Sequence, residues 1–200
     1  MNDHYYTADP ASASRPSEAA FSFRGQTLTL QTDAGVFSRG ELDAGTRILL
    51  SSLPESLSGD VLDLGCGWGP VGICVALLNP ACSVTFADVN RRALELTRGN
   101  AERYAVKGTL IESDGFAAIP GRFDHIITNP PIRAGKQVIY QMFADSAKHL
   151  KPGGDLYLVI RKQQGAPSAQ RFLETQFLRV DVIEKSGGYW VFRCSQEDSK

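Results

Sequence analysis

Short apolar segments alternate with segments of helix length along most of this chain, and this alternation is its strongest constraint on the fold. The apolar segments have the length of β-strands and cover residues 60–65, 83–89, 108–114, 123–128 and 155–161. Helix-length segments lie between them, an apolar one at residues 70–78 and others at residues 91–104 and 136–150, and the last of these has apolar residues spaced for one helical face. Strands of one sheet that are joined by helices run parallel. The pattern therefore predicts an α/β fold with a Rossmann-like, doubly wound, mostly parallel sheet and helices on both faces.

The C-terminal segment predicts a different strand arrangement. A short helix is expected over residues 168–177, and RVDVIEKSGGYWVFRC at residues 179–194 predicts two strands joined through Gly187 and Gly188. A turn this short joins only antiparallel strands, because a parallel pair needs a long crossover. The last strand should therefore run against the others and complete a seven-stranded sheet.

The N-terminal part has its own pattern. Residues 1–20 are rich in Ser, Ala and Pro and show no periodicity, which predicts a tail. FSFRGQTLTLQT, residues 21–32, alternates about an Arg-Gly pair and predicts a β-hairpin, and a glycine-punctuated loop then leads into a helix. We therefore expect one domain over residues 21–200, in which residues 21–58 form a hairpin-and-helix extension.

Composition restricts the class of protein. The 200 residues carry a formal net charge of −1 with a pI of about 6.3, so a nucleic-acid partner would need a local basic patch. The four cysteines form no CxxC pair and no Cys/His cluster with zinc spacing, which predicts reduced thiols and no metal. The sequence shows no signal-peptide pattern and no apolar run of about 18 residues. These features predict a cytoplasmic protein without a membrane partner.

A glycine-rich turn joins the first strand of the alternating region to its helix. LDLGCGWGPVG contains GxGxxG from Gly67 to Gly72, the dinucleotide fingerprint, and also DxGxGxG from Asp63 to Gly69. The carboxylate of Asp63 would repel a pyrophosphate, whereas it would neutralise an ammonium group. The turn therefore favours S-adenosylmethionine (SAM), which carries an ammonium group, and a nicotinamide oxidoreductase is the alternative.

Acidic residues also end the next two strands. Asp88 suits the two ribose hydroxyls of either cofactor, and the segment SDG at residues 113–115 suits the adenine amino group of SAM. The alternative is a structural role in capping helices and turns, and Asn90 is expected to cap the following helix. Parallel strands have their carboxyl ends at one edge, where open α/β sheets bind ligands. We therefore expect these residues and Asp63 to form one site.

The fourth strand delivers Asn129, Pro130 and Pro131 to the same edge. Prolines lack an N–H and push the preceding residue towards extended backbone, so this turn presents acceptors, namely the Asn129 side-chain oxygen and backbone carbonyls. Two acceptors that hold the hydrogens of an exocyclic amine would orient its lone pair towards a sulfonium methyl and stabilise the charge that grows on nitrogen. The three residues are therefore predicted to be the catalytic turn of an N-methyltransferase.

These motifs resemble those of a known family. DLGCGWG, ADVN, SDG and NPP resemble class I SAM-dependent methyltransferases that modify planar nitrogens. HYYTADP, GVFSRGELDAGTRILL, NPPIRAGK and QQGAPSA are similar to methyltransferase small domain proteins and to the catalytic half of the C-type small-subunit ribosomal RNA guanine-N2 methyltransferases. The resemblance covers nearly the whole chain. It implies transfer of a methyl group to a guanine N2 amine in small-subunit (16S) ribosomal RNA.

The resemblance also implies roles for individual residues. The GVFS and LDAGT segments would help to close over the cofactor, with a core aromatic as the alternative for Phe37, and Pro130 would contribute its carbonyl beside Asn129. With the motifs above, the predicted cofactor site comprises Phe37, Asp43, Thr46, Asp63, Gly65, Cys66, Gly67, Asp88, Val89, Asn90, Ser113, Asp114, Gly115 and Asn129. Four basic residues are expected to hold RNA phosphates, with a solvated loop as the alternative: Arg133, Lys136, Arg161 and Lys162.

Two departures from the family pattern keep other acceptors open. The larger relatives have an additional N-terminal methyltransferase-like half that this sequence does not contain. Many amino-methylating enzymes place an aromatic residue after NPP to stack on the target base, and this chain has Ile132. The alternatives are a protein glutamine amide, an adenine N6 amine, and a non-catalytic module that binds SAM and RNA. The intact NPP turn argues against the last of these.

Overall fold

A computed structural model of the chain describes residues 12–196. Within this range the strands are β1 (Ser17–Phe23), β2 (Gln26–Thr32), β3 (Asp60–Leu64), β4 (Ser83–Asp88), β5 (Gly108–Glu112), β6 (Phe123–Thr128), β7 (Leu150–Arg161), β8 (Arg179–Ser186) and β9 (Tyr189–Ser195). The α-helices are α1 (Ala44–Ser52), α2 (Pro70–Leu78), α3 (Arg91–Arg103), α4 (Lys136–His149) and α5 (Ala166–Gln176). Each strand and helix expected from the sequence is present.

Seven strands form one sheet in the order β5-β4-β3-β6-β7-β9-β8. The neighbours from β5 to β7 all pair in parallel, whereas β9 pairs antiparallel with both β7 and β8. The predicted doubly wound α/β fold with an antiparallel last strand is therefore confirmed. β1 and β2 form an antiparallel hairpin of their own, as predicted.

Two boundaries differ from the sequence expectation by more than two residues. β1 begins at Ser17, inside the predicted tail, because Ser17 pairs with the end of β2. Residues 1–11 of that tail lie outside the described range. β7 begins at Leu150, although KPGG at residues 151–154 predicts an interruption. The pairing of β6 with β7 shifts register at this point, and such an irregularity accommodates a proline, which cannot donate to the ladder.

Apolar residues cover both faces of the large sheet. Helices α1, α2 and α3 cover one face, and the β1–β2 hairpin packs against α3, in a core that includes Phe21, Trp68 and Phe86. Helices α4 and α5 cover the opposite face around Phe143 and Phe192. The N-terminal extension is therefore built into the same core as the sheet.

Gly72 in α2 lies directly against the sheet. A Cβ added at Gly72 would lie 2.3 Å from Cε1 of buried Phe86, whereas one added at Gly99 in α3 would meet nothing within 4 Å. We expect Gly72→Ala to lower the free energy of unfolding by about 1–3 kcal/mol and the control Gly99→Ala to raise it by about 0.5–1 kcal/mol. Urea denaturation of both variants measures these changes. Equal effects of the two substitutions would contradict the close packing of α2.

Candidate active site

A cavity of about 310 Å³ lies at the carboxyl ends of the central parallel strands. Its walls come from the turns after β3, β4, β5 and β6 and from the loop that precedes α1. They include every residue of the predicted cofactor site, namely Phe37, Asp43, Thr46, Asp63, Gly65, Cys66, Gly67, Asp88, Val89, Asn90, Ser113, Asp114, Gly115 and Asn129. Of the predicted catalytic turn, Asn129 and Pro131 line the cavity and Pro130 does not. The fold thus brings the separate sequence motifs together.

Asp63 is a buried carboxylate in the wall of this cavity. Its Oδ2 accepts a hydrogen bond of 2.8 Å from the N–H of Gly72 in α2. The pKa of Asp63 is raised to about 7, chiefly by burial and to a smaller extent by the nearby charge of Asp88, while the Gly72 hydrogen bond opposes the shift. A cationic group in the cavity would favour the charged form of this carboxylate.

The glycine turn brings its backbone to the cavity. Gly65 and Gly67 have φ values of 72° and 58°, in the left-handed region that favours glycine. No atom lies within 4 Å of a Cβ built at either position, so a ligand has room against the backbone. The N–H of Gly67 donates to Asp88 Oδ2 at 2.8 Å, which fixes the turn to the end of β4.

Asp88 and Asn90 combine structural contacts with a place in the cavity wall. Asp88 Oδ1 accepts from the Asn90 N–H at 2.9 Å, and burial raises the pKa of Asp88. Each carboxylate oxygen has two lone pairs, so Asp88 retains capacity for ribose hydroxyls. Asn90 caps α3, as its Oδ1 accepts from the Ala93 N–H at 3.2 Å, and its Nδ2 donates to the Gly35 carbonyl at 2.9 Å. The expected helix cap is therefore confirmed.

In the segment of residues 113–115, the side chains of Ser113 and Asp114 have different roles. Ser113 Oγ donates to the Gly115 carbonyl at 2.9 Å and accepts from the Ala118 N–H at 3.0 Å, so it shapes the turn. Asp114 is exposed and lines the cavity. Of these two side chains, Asp114 is the one placed to contact the amino group of a ligand.

The loop of residues 33–42 is held over the cavity by hydrogen bonds to its backbone. Trp68 Nε1 donates to the Phe37 carbonyl at 3.0 Å, in addition to the bond from Asn90. Phe37 lines the cavity and is 36% exposed, so the alternative of a core aromatic is wrong. The loop is also fixed by its own side chains, because the buried carboxylate of Asp33 accepts from the Ala34 N–H at 2.6 Å and Ser38 Oγ donates to the Glu41 carbonyl at 2.8 Å.

Two residues that the motifs did not single out also organise this region. Asn100 Nδ2 donates to the carbonyls of Trp68 and Gln31, both at 2.9 Å, which joins the glycine turn to β2. Thr97 Oγ1 donates to the Gly67 carbonyl at 2.8 Å. Both side chains are fully buried on the apolar face of α3. Polar residues on the apolar face of a predicted helix are the signal that could have identified them.

The amide of Asn129 is held in one orientation. Its Nδ2 donates to Asp43 Oδ2 at 3.0 Å and to Thr46 Oγ1 at 2.9 Å. A carboxylate only accepts hydrogen bonds, so the nitrogen faces Asp43, and no group in the described part of the chain donates to the Asn129 oxygen. Asp43 is also the N-cap of α1, because its Oδ2 accepts from the Thr46 N–H at 3.0 Å. Asp43 and Thr46 line the cavity as expected, but their polar atoms contact Asn129.

The rest of the NPP turn is tied to its surroundings. Thr128 Oγ1 donates to the Leu64 carbonyl at 2.8 Å, which links the end of β6 to the end of β3. The Pro130 carbonyl accepts from the Ile132 N–H at 2.9 Å. A carbonyl has two lone pairs, so Pro130 retains one further acceptor position.

The predicted RNA-binding cations lie at the same edge of the sheet, two after β6 and two at the end of β7, and all four are exposed. They are Arg133, Lys136, Arg161 and Lys162. Lys136 Nζ lies 5.0 Å from the ring centroid of Tyr140, and the Arg161 guanidinium lies 5.9 Å from that of Tyr189. Within residues 12–196 no carboxylate forms an ion pair with Lys136, Arg161 or Lys162. The charges of Lys136, Arg161 and Lys162 are therefore accessible to phosphates.

Within the described ranges, no group of three or more His, Cys, Asp or Glu residues is arranged to hold a metal ion. No described helix is long and apolar enough to cross a membrane. The four cysteines all lie in this part of the chain as free thiols, and burial raises the pKa of Cys66, which lines the cavity. A thiol with a raised pKa is a poor nucleophile at neutral pH.

Comparison with known proteins relates this site to a family. A family model described as methyltransferase small domain matches residues 27–193. Protein YbxB of Bacillus subtilis is 41% identical over 200 residues, which cover 98% of this chain and 100% of YbxB. Ribosomal RNA small subunit methyltransferase C of Haemophilus influenzae is 34% identical over 84% of this chain and 51% of that relative.

A solved structure with a similar fold extends the comparison. A T. thermophilus 16S rRNA N2 methyltransferase in complex with AdoMet and guanosine matches with a TM-score of 0.81 and 27% identity, over 93% of this chain and 51% of that one. The present chain thus spans about half of the length of the RNA methyltransferases that it matches. Since the family model covers most of the chain and YbxB aligns along its full length, this chain belongs to the methyltransferase small domain family.

Proposed function

We propose that this protein transfers a methyl group from SAM to the exocyclic N2 amine of a guanine in small-subunit (16S) ribosomal RNA. The observation that carries the proposal is the oriented amide of Asn129, whose oxygen is an available acceptor in the cavity wall. The RNA named in the relatives and the guanosine named in the T. thermophilus complex support the choice of a guanine.

The residues of the cavity fit SAM. The ammonium group would pair with Asp63, a buried carboxylate that has no cationic partner among the described residues. Asp88 would accept from the ribose hydroxyls, and Asp114 from the adenine amino group. Open space at Gly65 and Gly67 would let the ligand approach the backbone. When bound, SAM supplies an electrophilic methyl group on a sulfonium.

Asn129 would act on the acceptor amine. The lone pair of guanine N2 is delocalised into the ring, so the nitrogen is a weak nucleophile. The Asn129 oxygen and the second lone pair of the Pro130 carbonyl would accept its two hydrogens, direct the lone pair towards the methyl group and stabilise the growing positive charge. The proton can leave after methylation, so this mechanism needs no general base. In agreement with it, neither His125 nor His149 lines the cavity.

The exposed cations on both sides of the catalytic turn would hold the RNA backbone. Arg133 and Lys136 follow the NPP turn, Arg161 is the last residue of the neighbouring strand β7, and Lys162 follows it directly. Phosphate contacts of this kind position a nucleic acid without reading its sequence. A ribosomal substrate also implies a cytoplasmic location.

A protein glutamine amide or an adenine N6 amine is the second candidate acceptor. Both present an NH₂ group whose lone pair is delocalised, so the same acceptors at Asn129 and Pro130 would serve them. These acceptors remain candidates because residue 132 is Ile, and an aliphatic side chain after NPP lacks the stacking contribution that an aromatic ring gives a target base. A non-catalytic module is disfavoured, since binding alone does not require an oriented acceptor at residue 129.

Transfer of labelled methyl groups tests the proposal. Full-length protein and labelled SAM are incubated with free RNA, assembled small subunits and total protein from cells that lack the gene, with Asn129→Ala as the control. We expect label in N2-methylguanosine of RNA with the wild-type protein and at least about 100-fold less with the variant. Label in protein or in N6-methyladenosine would favour the second candidate. Binding of SAM without any label would contradict an enzymatic function.

A further inference from the structure

A second cavity, of about 370 Å³, lies next to the proposed catalytic turn. The segment of residues 131–140 separates the two cavities. Pro131, Ala134 and Val138 line the first cavity, whereas Ile132, Lys136 and Tyr140 line the second. The two cavities therefore share one wall, which begins with the residues directly after Asn129 and Pro130.

One side of the second cavity is a fixed aromatic ring. Tyr140 stacks on Phe172 with a centroid distance of 4.2 Å and an interplanar angle of 20°. Its hydroxyl forms a hydrogen bond of 3.1 Å with Ser168 Oγ, which in turn donates to the Gly165 carbonyl at 2.9 Å. These contacts hold both the face and the edge of the ring. Phe172 covers one face of the ring, so a planar group can stack only on the opposite face.

The other lining residues supply apolar surface, amides and a cation, without any carboxylate. Ile132 and Ile160 provide aliphatic surface. Gln163 and Gln164 are exposed on a short 3-10 turn after β7, and each amide both donates and accepts. Lys136 Nζ lies 5.0 Å from the Tyr140 ring centroid. Stacking surface, amide groups and a cation for phosphate together match one nucleotide of a single strand.

We propose that this second cavity binds the nucleotide adjacent to the target guanine in the RNA strand. This proposal rests on the proposed function. The neighbour is preferred to the target itself because Asn129 lines the first cavity and is not part of the wall of the second. A base in the second cavity therefore lies on the far side of the shared wall from the methyl donor. The cavity would make the enzyme prefer a target that lies in a single-stranded segment.

Binding of a short RNA tests this site separately from catalysis. The probe is the fluorescently labelled pentanucleotide UUGUU, with the full-length protein saturated with S-adenosylhomocysteine, and its affinity is measured by anisotropy. Further probes carry an abasic residue on the 5′ side of the guanine, on its 3′ side, or in place of the guanine itself. The protein variant is Gln163→Ala, Gln164→Ala, and Gln141→Ala on the exposed surface of α4 is the control.

We expect one of the two neighbouring abasic substitutions to weaken binding by about 5- to 100-fold, as loss of one stacked base does. The double variant should weaken binding of UUGUU but bind that abasic probe no worse than the wild type does, because the two changes remove the same contact. Gln141→Ala should bind every probe as the wild type does.

Several results would overturn the proposed site. The first is equal affinity for UUGUU and for both neighbouring abasic probes. The second is that the losses of binding free energy caused by the double variant and by the neighbouring abasic residue simply add. The third is no binding of UUGUU at millimolar concentration. If the effect of the double variant on binding disappears with the probe that is abasic at the guanine, the target base itself occupies the cavity, which also contradicts the proposal. Coupled binding of a neighbour without methylation of the guanine would leave the second cavity supported and the guanine-N2 activity contradicted.

Discussion

The double variant Asp43→Ser, Thr46→Val is expected to lose nearly as much kcat as Asn129→Ala, on the order of 10²–10³-fold, with almost unchanged affinity for SAM. The two residues supply both acceptors for Asn129 Nδ2, at 3.0 and 2.9 Å. Without them the amide can turn, and its nitrogen then presents a donor to an amine that needs an acceptor. Steady-state methyl transfer and equilibrium binding of SAM, measured separately, distinguish the two effects.

The choice of substitutions separates orientation of the amide from stability of the fold. Serine at residue 43 is still a good N-cap for α1, so the helix should remain. Asp43→Asn is the matched control, because it keeps one oxygen in position for both Asn129 and the Thr46 N–H, and it should retain most of the wild-type kcat. Adding Asn129→Ala to the double variant should lower kcat little further, since the three residues act as a unit. Weaker SAM binding at unchanged kcat would assign Asp43 and Thr46 to the cofactor instead.

Asp63→Asn is expected to stabilise the cofactor-free protein above pH 7 by on the order of 1–3 kcal/mol, although it removes a carboxylate from the cavity. Burial raises the pKa of Asp63 to about 7, above its ordinary value of 3.8. Between these two values the folded state holds a proton that the unfolded chain has released. The free energy of unfolding therefore falls as the pH rises from about 4 to 7. An amide has no such dependence, so the advantage of the variant should vanish near pH 4.

The same substitution should weaken SAM binding by at least about 30-fold, because the ammonium group loses its charged partner. In the wild type the affinity should rise as the pH increases through about 7, where Asp63 becomes charged, and the variant should lack this rise. Thermal unfolding and calorimetric titration at several pH values measure both effects. The control Glu95→Gln, on the exposed side of α3, should change neither. Identical pH profiles for the wild type and Asp63→Asn would show that Asp63 is already ionised in the free protein.

Local spacing was sufficient to predict most of the fold. The bounds of α2, at Pro70–Leu78, and of β6, at Phe123–Thr128, agree with the sequence expectation, because each is a mainly apolar segment that is followed directly by an Asn-Pro pair. The beginning of β7 was missed, since Pro152 and two glycines predict a break. Pairing with β6 outweighs this local preference.

Much of the candidate site was also accessible to sequence reasoning. Asp63, Asp88 and Asn129 each end or follow a parallel strand, and parallel strands finish at one edge of the sheet, so these residues had to lie near one another. Their hydrogen-bond partners could not be predicted in this way. Asn129 meets Asp43 across 86 positions of sequence, and no local pattern relates an amide in one turn to a carboxylate that caps a distant helix.

The sequence by itself determined the class of the protein, because periodicity and the short motifs at strand ends are properties of neighbouring residues. Only the tertiary structure decided how the Asn129 amide is oriented, that Trp68 holds the loop over the cavity, and that residues 131–140 form a wall between two cavities. Each of these depends on the packing of elements that are far apart in the chain. Side-chain direction and cavity shape arise from that packing, which a linear pattern does not contain.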